Sequence, residues 1–109
     1  MNCNLLKELK WQLLHDYEEA HIIAAIKSLF IIMQRYLSIA DLDNGTVHSK
    51  VFYDLYLAPK SKSYIDIAFD NNVSERNLNR FVVKYNELAK KIIINEFPEL
   101  KDRYSSFFK

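Results

Sequence analysis

Apolar residues recur along this chain at the three- and four-residue intervals of a helix. Leu5, Leu6, Leu9, Leu13 and Leu14 share such a spacing, which predicts a first helix to about Leu14 with Asn2 or Asn4 as its cap. Asp16-Tyr17-Glu18-Glu19 then reads as a fresh start, because Asp followed three residues later by Glu is a variant of the capping box. A second helix is predicted from about Tyr17 to Ala40, one continuous helix being the alternative. Its residues Ile22, Ile23, Ala24, Ala25, Ile26, Leu29, Phe30, Ile31, Ile32 and Met33 make it apolar nearly all round. Such a helix is central to a core or covered by a second subunit.

The 41–46 stretch Asp-Leu-Asp-Asn-Gly-Thr is a loop, with Gly45 suited to a positive φ and Thr46 to capping a third helix. That helix runs from Val47 to about Leu57, with Val51, Phe52, Leu55 and Tyr56 on one face, and Pro59 stops it. After the basic connector Lys60-Ser61-Lys62, Ser63-Tyr64-Ile65-Asp66 is a capping box that opens a short fourth helix to about Asp70. Asn71 and Asn72 mark a tight turn, since asparagine tolerates the left-handed region. Ser74 caps a fifth helix whose inward stripe is Leu78, Phe81, Val82, Tyr85, Leu88, Ala89 and Ile92. Pro98 ends it, and a last turn uses Leu100, Tyr104, Phe107 and Phe108.

Composition agrees with an all-α single domain: a helical bundle of about five helices plus a short C-terminal turn. One glycine and two prolines occur in 109 residues, where average usage gives about seven or eight glycines. Sandwiches, barrels and nucleotide-binding α/β folds, which use glycine at turns and phosphate loops, are disfavoured together. The formal net charge is +1, so no global field marks a polyanionic partner. Residues 1–49, however, carry four basic and six acidic side chains, whereas residues 50–91 carry eight and five. Cys3 is the only cysteine, which excludes intramolecular disulfides and cysteine-based metal clusters and fits a reducing cytoplasm. No secretory pattern opens the chain, and Ile22–Met33 is shorter than the roughly twenty residues a bilayer needs. A soluble, cytoplasmic protein with no membrane partner is the expectation.

Two capped helices joined by a three- or four-residue turn have the pattern of a helix-turn-helix. Ala68 stands where the two helices must pass closely, and Ile67, Val73, Leu78 and Phe81 stand at core-facing positions. Ser63-Tyr64, Ile67-Ala68, Val73-Ser74 and Leu78 together resemble the fourth-region helix-turn-helix of sigma-70-type factors. By this resemblance the chain is similar to small phage and mobile-element regulators of the ArpU and RinA type. The match covers roughly residues 47–92 and leaves residues 1–46, the N-terminal pair of helices, unassigned. The sequence departs from the family pattern twice: Asn71 stands in place of a leucine, and Asn72 in place of the turn glycine. Asn71 is a poor core residue, so Phe69 or a neighbour is expected to fill its space.

With Leu78 pointing inward and about 100° per residue, Arg76, Arg80 and Glu87 point outward, flanked by Asn77, Asn79 and Lys84. Arginine pairs bidentately with guanine and asparagine with adenine, so this face has the chemistry of major-groove readout. Glu75 can accept from cytosine or favour the positive helix end. Lys60, Lys62 and Ser63 are positioned to hold phosphates. Val83 and Ile94 also fall on the outward side and, with the apolar second helix, suggest a protein interface.

No catalytic or metal site is expected. His15 and His21 are off the i, i+4 spacing of a helical metal pair, His48 has no partner in sequence, and no nucleophile-base pattern occurs. No cofactor is called for, and the chain is not read as an enzyme. The tyrosines and phenylalanines have core spacing. The expectation is a sequence-specific DNA-binding transcriptional regulator of a phage or mobile element, a homodimer, with residues 1–46 for dimerisation or contact with a partner and 47–97 as its helix-turn-helix segment. The alternative is an interaction module that binds a host or viral protein, such as RNA polymerase, without reading DNA.

Overall fold

A computed structural model describes residues 4–108. Among them lie six helices and no strand: α1 (Leu5–His15), α2 (Ala20–Asn44), α3 (His48–Tyr56), α4 (Tyr64–Asp70), α5 (Glu75–Glu96) and α6 (Pro98–Arg103), with a closing 3₁₀ turn at Ser105–Phe108. The all-α bundle is as expected, with one helix more. Pro98 both stops α5 and opens α6, because a proline in the first helical turn has no amide to waste and a φ already set. Cys3 and Asn2 lie outside the described residues.

Local signals act as predicted at three places. Gly45 takes the expected positive φ (+65), although residues 41–44, expected as loop, continue α2 to Asn44; Ser63 Oγ accepts the Asp66 amide at the start of α4, and Ser74 Oγ accepts the Asn77 amide at the start of α5. Asn72 sits in the left-handed region at φ 61.

Elsewhere, long-range partners take over. Asp16 caps nothing: it is the left-handed residue that ends α1, and α2 starts only at Ala20 without a side-chain cap. Glu18, the third member of that supposed box, turns away to Arg103 Nε (2.8 Å) and the Tyr104 hydroxyl (2.6 Å), tying the α1–α2 corner to α6. Those two donors hold its carboxyl below the usual range despite burial. Thr46 does not cap α3 either. Asp41, in the last turns of α2, accepts the amides of His48 and Ser49, each at 2.8 Å, and the Thr46 hydroxyl. Asn4 makes no capping bond. The free Leu6 amide of α1 is instead satisfied by Asn86 Oδ1 of α5 at 2.9 Å, eighty residues away.

One core takes side chains from every helix. Leu5, Leu6 and Leu9 of α1 meet Ile26, Leu29, Phe30, Met33 and Leu37 of α2, Val51 and Phe52 of α3, and Leu78, Tyr85, Ala89 and Ile93 of α5. Ile67 and Ala68 of α4, with Leu100 and Tyr104, complete it. Phe30, Phe52, Tyr56 and Tyr85 stack or meet edge-on at 5.1–6.2 Å between ring centres, as quadrupoles prefer. Of the predicted α5 stripe, Leu78, Tyr85 and Ala89 are fully buried and Phe81, Val82, Leu88 and Ile92 partly so. Asn86 and Ile93 join it because α5 packs on α1, α2 and α6 as well as α4.

Candidate nucleic-acid interface

The turn between α4 and α5 is where the chain departs from the family it resembles, and the geometry there corrects the expectation about Phe69. Phe69 is 83 % exposed and fills nothing, while Asn71 is itself buried. The asparagine survives in the core by finding partners for its whole amide. Its Nδ2 donates to Asp54 Oδ2 and to the Ile67 carbonyl, each at 2.9 Å, and its Oδ1 accepts from Lys50 Nζ at 3.1 Å. Asp54, on α3, is 6 % exposed and also pairs with Lys50 at 3.1 Å. Burial alone would raise the Asp54 pKa, but the Asn71 and Lys50 contacts hold it below the usual carboxylate range. This knot fixes the α4–α5 turn to α3, a job done by an apolar side chain in the resembled pattern.

The nine side chains proposed from sequence separate into two groups. Arg76, Asn77, Arg80 and Lys84 are exposed along the N-terminal half of α5, and none makes an ion pair or side-chain hydrogen bond within the described residues. Lys60 is likewise exposed and unpaired on the connector. Glu75 occupies the first turn, where the helix end favours an acid. The other three are partly committed. Lys62 pairs with Asp70 at 2.9 Å and reaches Asp54 at 4.0 Å, contacts that raise its pKa. A phosphate would have to compete with two carboxylates for it. Ser63 Oγ accepts the Asp66 amide, leaving only its proton to donate outward. Asn79 accepts the Tyr64 hydroxyl at 2.6 Å, bracing α4 against α5.

Two further cations follow along α5, Lys91 on the outward face and Lys90 largely covered. Lys91 is exposed two turns beyond Lys84, and Lys90 pairs with Glu87 at 3.8 Å, which occupies the acid on this side of the helix. The sequence carries this signal in the spacing 76, 80, 84 and 91, all cationic. Lys84 and Lys91 also line a cleft of about 480 Å³ with Tyr36, His48 and Tyr85. There His48 Nδ1 and the Tyr85 hydroxyl lie 2.6 Å apart. Burial, then the neighbouring Lys84, lower the His48 pKa, with Asp41 opposing them.

No trio of His, Cys, Asp or Glu side chains suited to a metal ion occurs among the described residues. His15 packs against Trp11 and Tyr17, and His21 lies 3.4 Å from Glu19. Val83 and Ile94 are exposed, as the angular count on α5 predicts. Among the described residues one helix, α2, is long and apolar enough to cross a membrane, although its buried side supplies much of the core. Compared with known proteins, the chain matches no family model, no curated protein and no solved structure.

Proposed function

We propose that this chain is a transcriptional regulator that binds double-stranded DNA through the outward face of α5. The observation that carries the proposal is the set Arg76, Asn77, Arg80 and Lys84, exposed on one helical face and unpaired within the fold. Arginines without an intramolecular carboxylate retain all five donors for guanine edges or phosphate oxygens. The Ser74 cap fixes where the helix begins, the Asn71 knot fixes the turn before it, and Lys60 is a further exposed cation on the connector before α4. The sigma-like pattern of residues 63–78 supports the same reading.

Titration with duplex DNA at several salt concentrations tests it. Affinity falls with salt, and Arg76→Glu with Arg80→Glu lowers both the affinity and the steepness of that dependence, by counterion release. Failure to bind any duplex, a random-sequence pool included, refutes the proposal. Exposed Ile65 and Phe69 on α4 favour a second reading, a module that docks a protein without reading DNA. In that case Phe69→Ser removes the partner and the α5 arginines are dispensable.

A further inference from the structure

The cleft that Lys84 and Lys91 border lies between the C-terminal half of α2 and the middle of α5, with Thr46 and His48 added from the chain that joins α2 to α3. Its volume of about 480 Å³ is that of a small-molecule site. The apolar part of its lining comes from Leu37 and Leu88 and from Tyr36, which is 55 % exposed.

The polar part is set for negative charge. Lys84 and Lys91 make no ion pair or side-chain hydrogen bond among the described residues. Glu87, the acid on the same wall, lies 3.8 Å from Lys90, which does not line the cleft. The Tyr85 hydroxyl, on a fully buried residue, is 2.6 Å from His48 Nδ1. Its proton goes to that nitrogen, so the neutral imidazole carries its own proton on Nε2 and remains a donor there. Burial and then Lys84 lower the His48 pKa, while Asp41 opposes them. The Asp41 oxygens are already taken by the Thr46 hydroxyl and the amides of His48 and Ser49, so no acid bridges Lys84 and the ring. We propose that this cleft binds a small organic anion, with an aromatic body against Tyr36 and Leu88 and a carboxylate or phosphate group against Lys84 and His48. Lys91 completes the cationic rim. Such a group accepts from the ammonium and the imidazole together and relieves the repulsion between them.

The other cationic clefts have fewer free donors. In the one lined by Lys7, Lys10 and Lys62, Lys10 donates to the Leu55 carbonyl at 2.8 Å and Lys62 pairs with Asp70 at 2.9 Å. In the apolar groove flanked by Lys27 and Arg35, the remaining polar side chain, Gln34, already donates to the Ser49 carbonyl. Lys84 also belongs to the face of α5 assigned to DNA, so an anion in the cleft competes with a duplex for it. That consequence rests on the DNA-binding reading; the site itself does not.

Nuclear magnetic resonance titration of the full chain with 2-naphthoate and with 2-naphthyl phosphate tests the site. One or both are expected to give saturable shifts at the amides of Thr46, His48, Lys84 and Lys91 and to raise the His48 pKa. 2-Naphthol, the body without the charge, and acetate and inorganic phosphate, the charge without the body, bind more weakly by about tenfold or more. Lys84→Gln with Lys91→Gln weakens binding by about 10- to 100-fold, as the loss of charge-assisted contacts requires. Both lysines are exposed, so the circular dichroism of that variant is unchanged, and Lys27→Gln binds as wild type. No saturable shift from either anion, 2-naphthol binding as tightly, undiminished affinity in the double variant, or shifts confined to the groove between Lys27 and Arg35 each overturns the site. With a duplex that binds, the anion lowers the duplex affinity, and less so in Lys84→Gln; an unchanged affinity overturns the competition alone. If no duplex binds, the DNA-binding reading and the competition fall together, and the anion titration still decides the site.

Discussion

Replacing Asn71 with leucine, the residue that the resembled family carries at this position, is predicted to destabilise this protein. The hydrogen bond from Asn71 Nδ2 to the buried Asp54 carboxylate is of the charge-assisted kind, which contributes about 1.5–3 kcal/mol. Its loss also removes the acceptor for Lys50 and the donor for the Ile67 carbonyl, at roughly 1 kcal/mol apiece. A buried leucine gains about 1.5–3 kcal/mol in return. The net is a loss of about 2 kcal/mol, or about 9 °C in Tm for a chain of this length. Urea denaturation followed by far-ultraviolet circular dichroism reads it as a lower midpoint at unchanged slope.

The effect is pH-dependent with a definite sign. Asp54 has a depressed pKa in the fold, so its contribution is complete above the ordinary carboxylate range near pH 4 and is lost as pH falls through the folded value. The gap between wild type and Asn71→Leu therefore narrows on acidification. The double variant Asn71→Leu, Asp54→Leu should be more stable than the two single losses predict, since removing both partners leaves no buried charge unpaired. An Asn71→Leu protein as stable as wild type at pH 7 refutes the role assigned to the knot.

Two further outcomes are expected. Because burial and Lys84 depress the His48 pKa, the neutral ring is favoured in the fold. Stability is then full above pH about 6.5 and declines as pH falls towards the folded value. The urea midpoint should drop between pH 7.5 and 5.5, and by clearly less in His48→Gln; equal drops would count against it. Ser74→Ala removes the bond to the Asn77 amide and should cost about 1 kcal/mol, with Ser74→Asp close to neutral. An unchanged midpoint in the alanine variant would show that α5 begins without help from its cap.

What the sequence made legible was what neighbouring residues decide. Gly45, Ser63, Asn72 and Ser74 act within a turn of themselves, so their positions and roles follow from local rules. The cationic spacing on α5 was visible for the same reason. The misread positions share the opposite property. Glu18 finds its partners 85 and 86 residues away, and this tie sets the α1–α2 corner in a way that no local pattern reveals. Asp41 replaces Thr46 as the cap of α3 because the tight Gly45 turn folds its carboxylate back over the amides. Asn71 looked unfit for a core because its fitness depends on Asp54 and Lys50 of α3. Phe69 then had no space to fill and was left outside, and Lys62 was drawn to Asp70 by the same crowding of charges around α4.

The Asn86 bond to the Leu6 amide carries a consequence for how the chain is made. A helix is usually complete when its own residues are, but the first turn of α1 has its amide answered by a side chain that is synthesised eighty residues later. The corner after α1 waits longer still, for Arg103 and Tyr104. During synthesis, which proceeds from the N-terminus, α1 emerges well before α5, against which it also packs. Its leucines meet α2 and α3 once those helices are made, but the Leu6 amide stays unanswered until Asn86 follows. The first turn of α1 is therefore completed only when α5 has been made and folded against it.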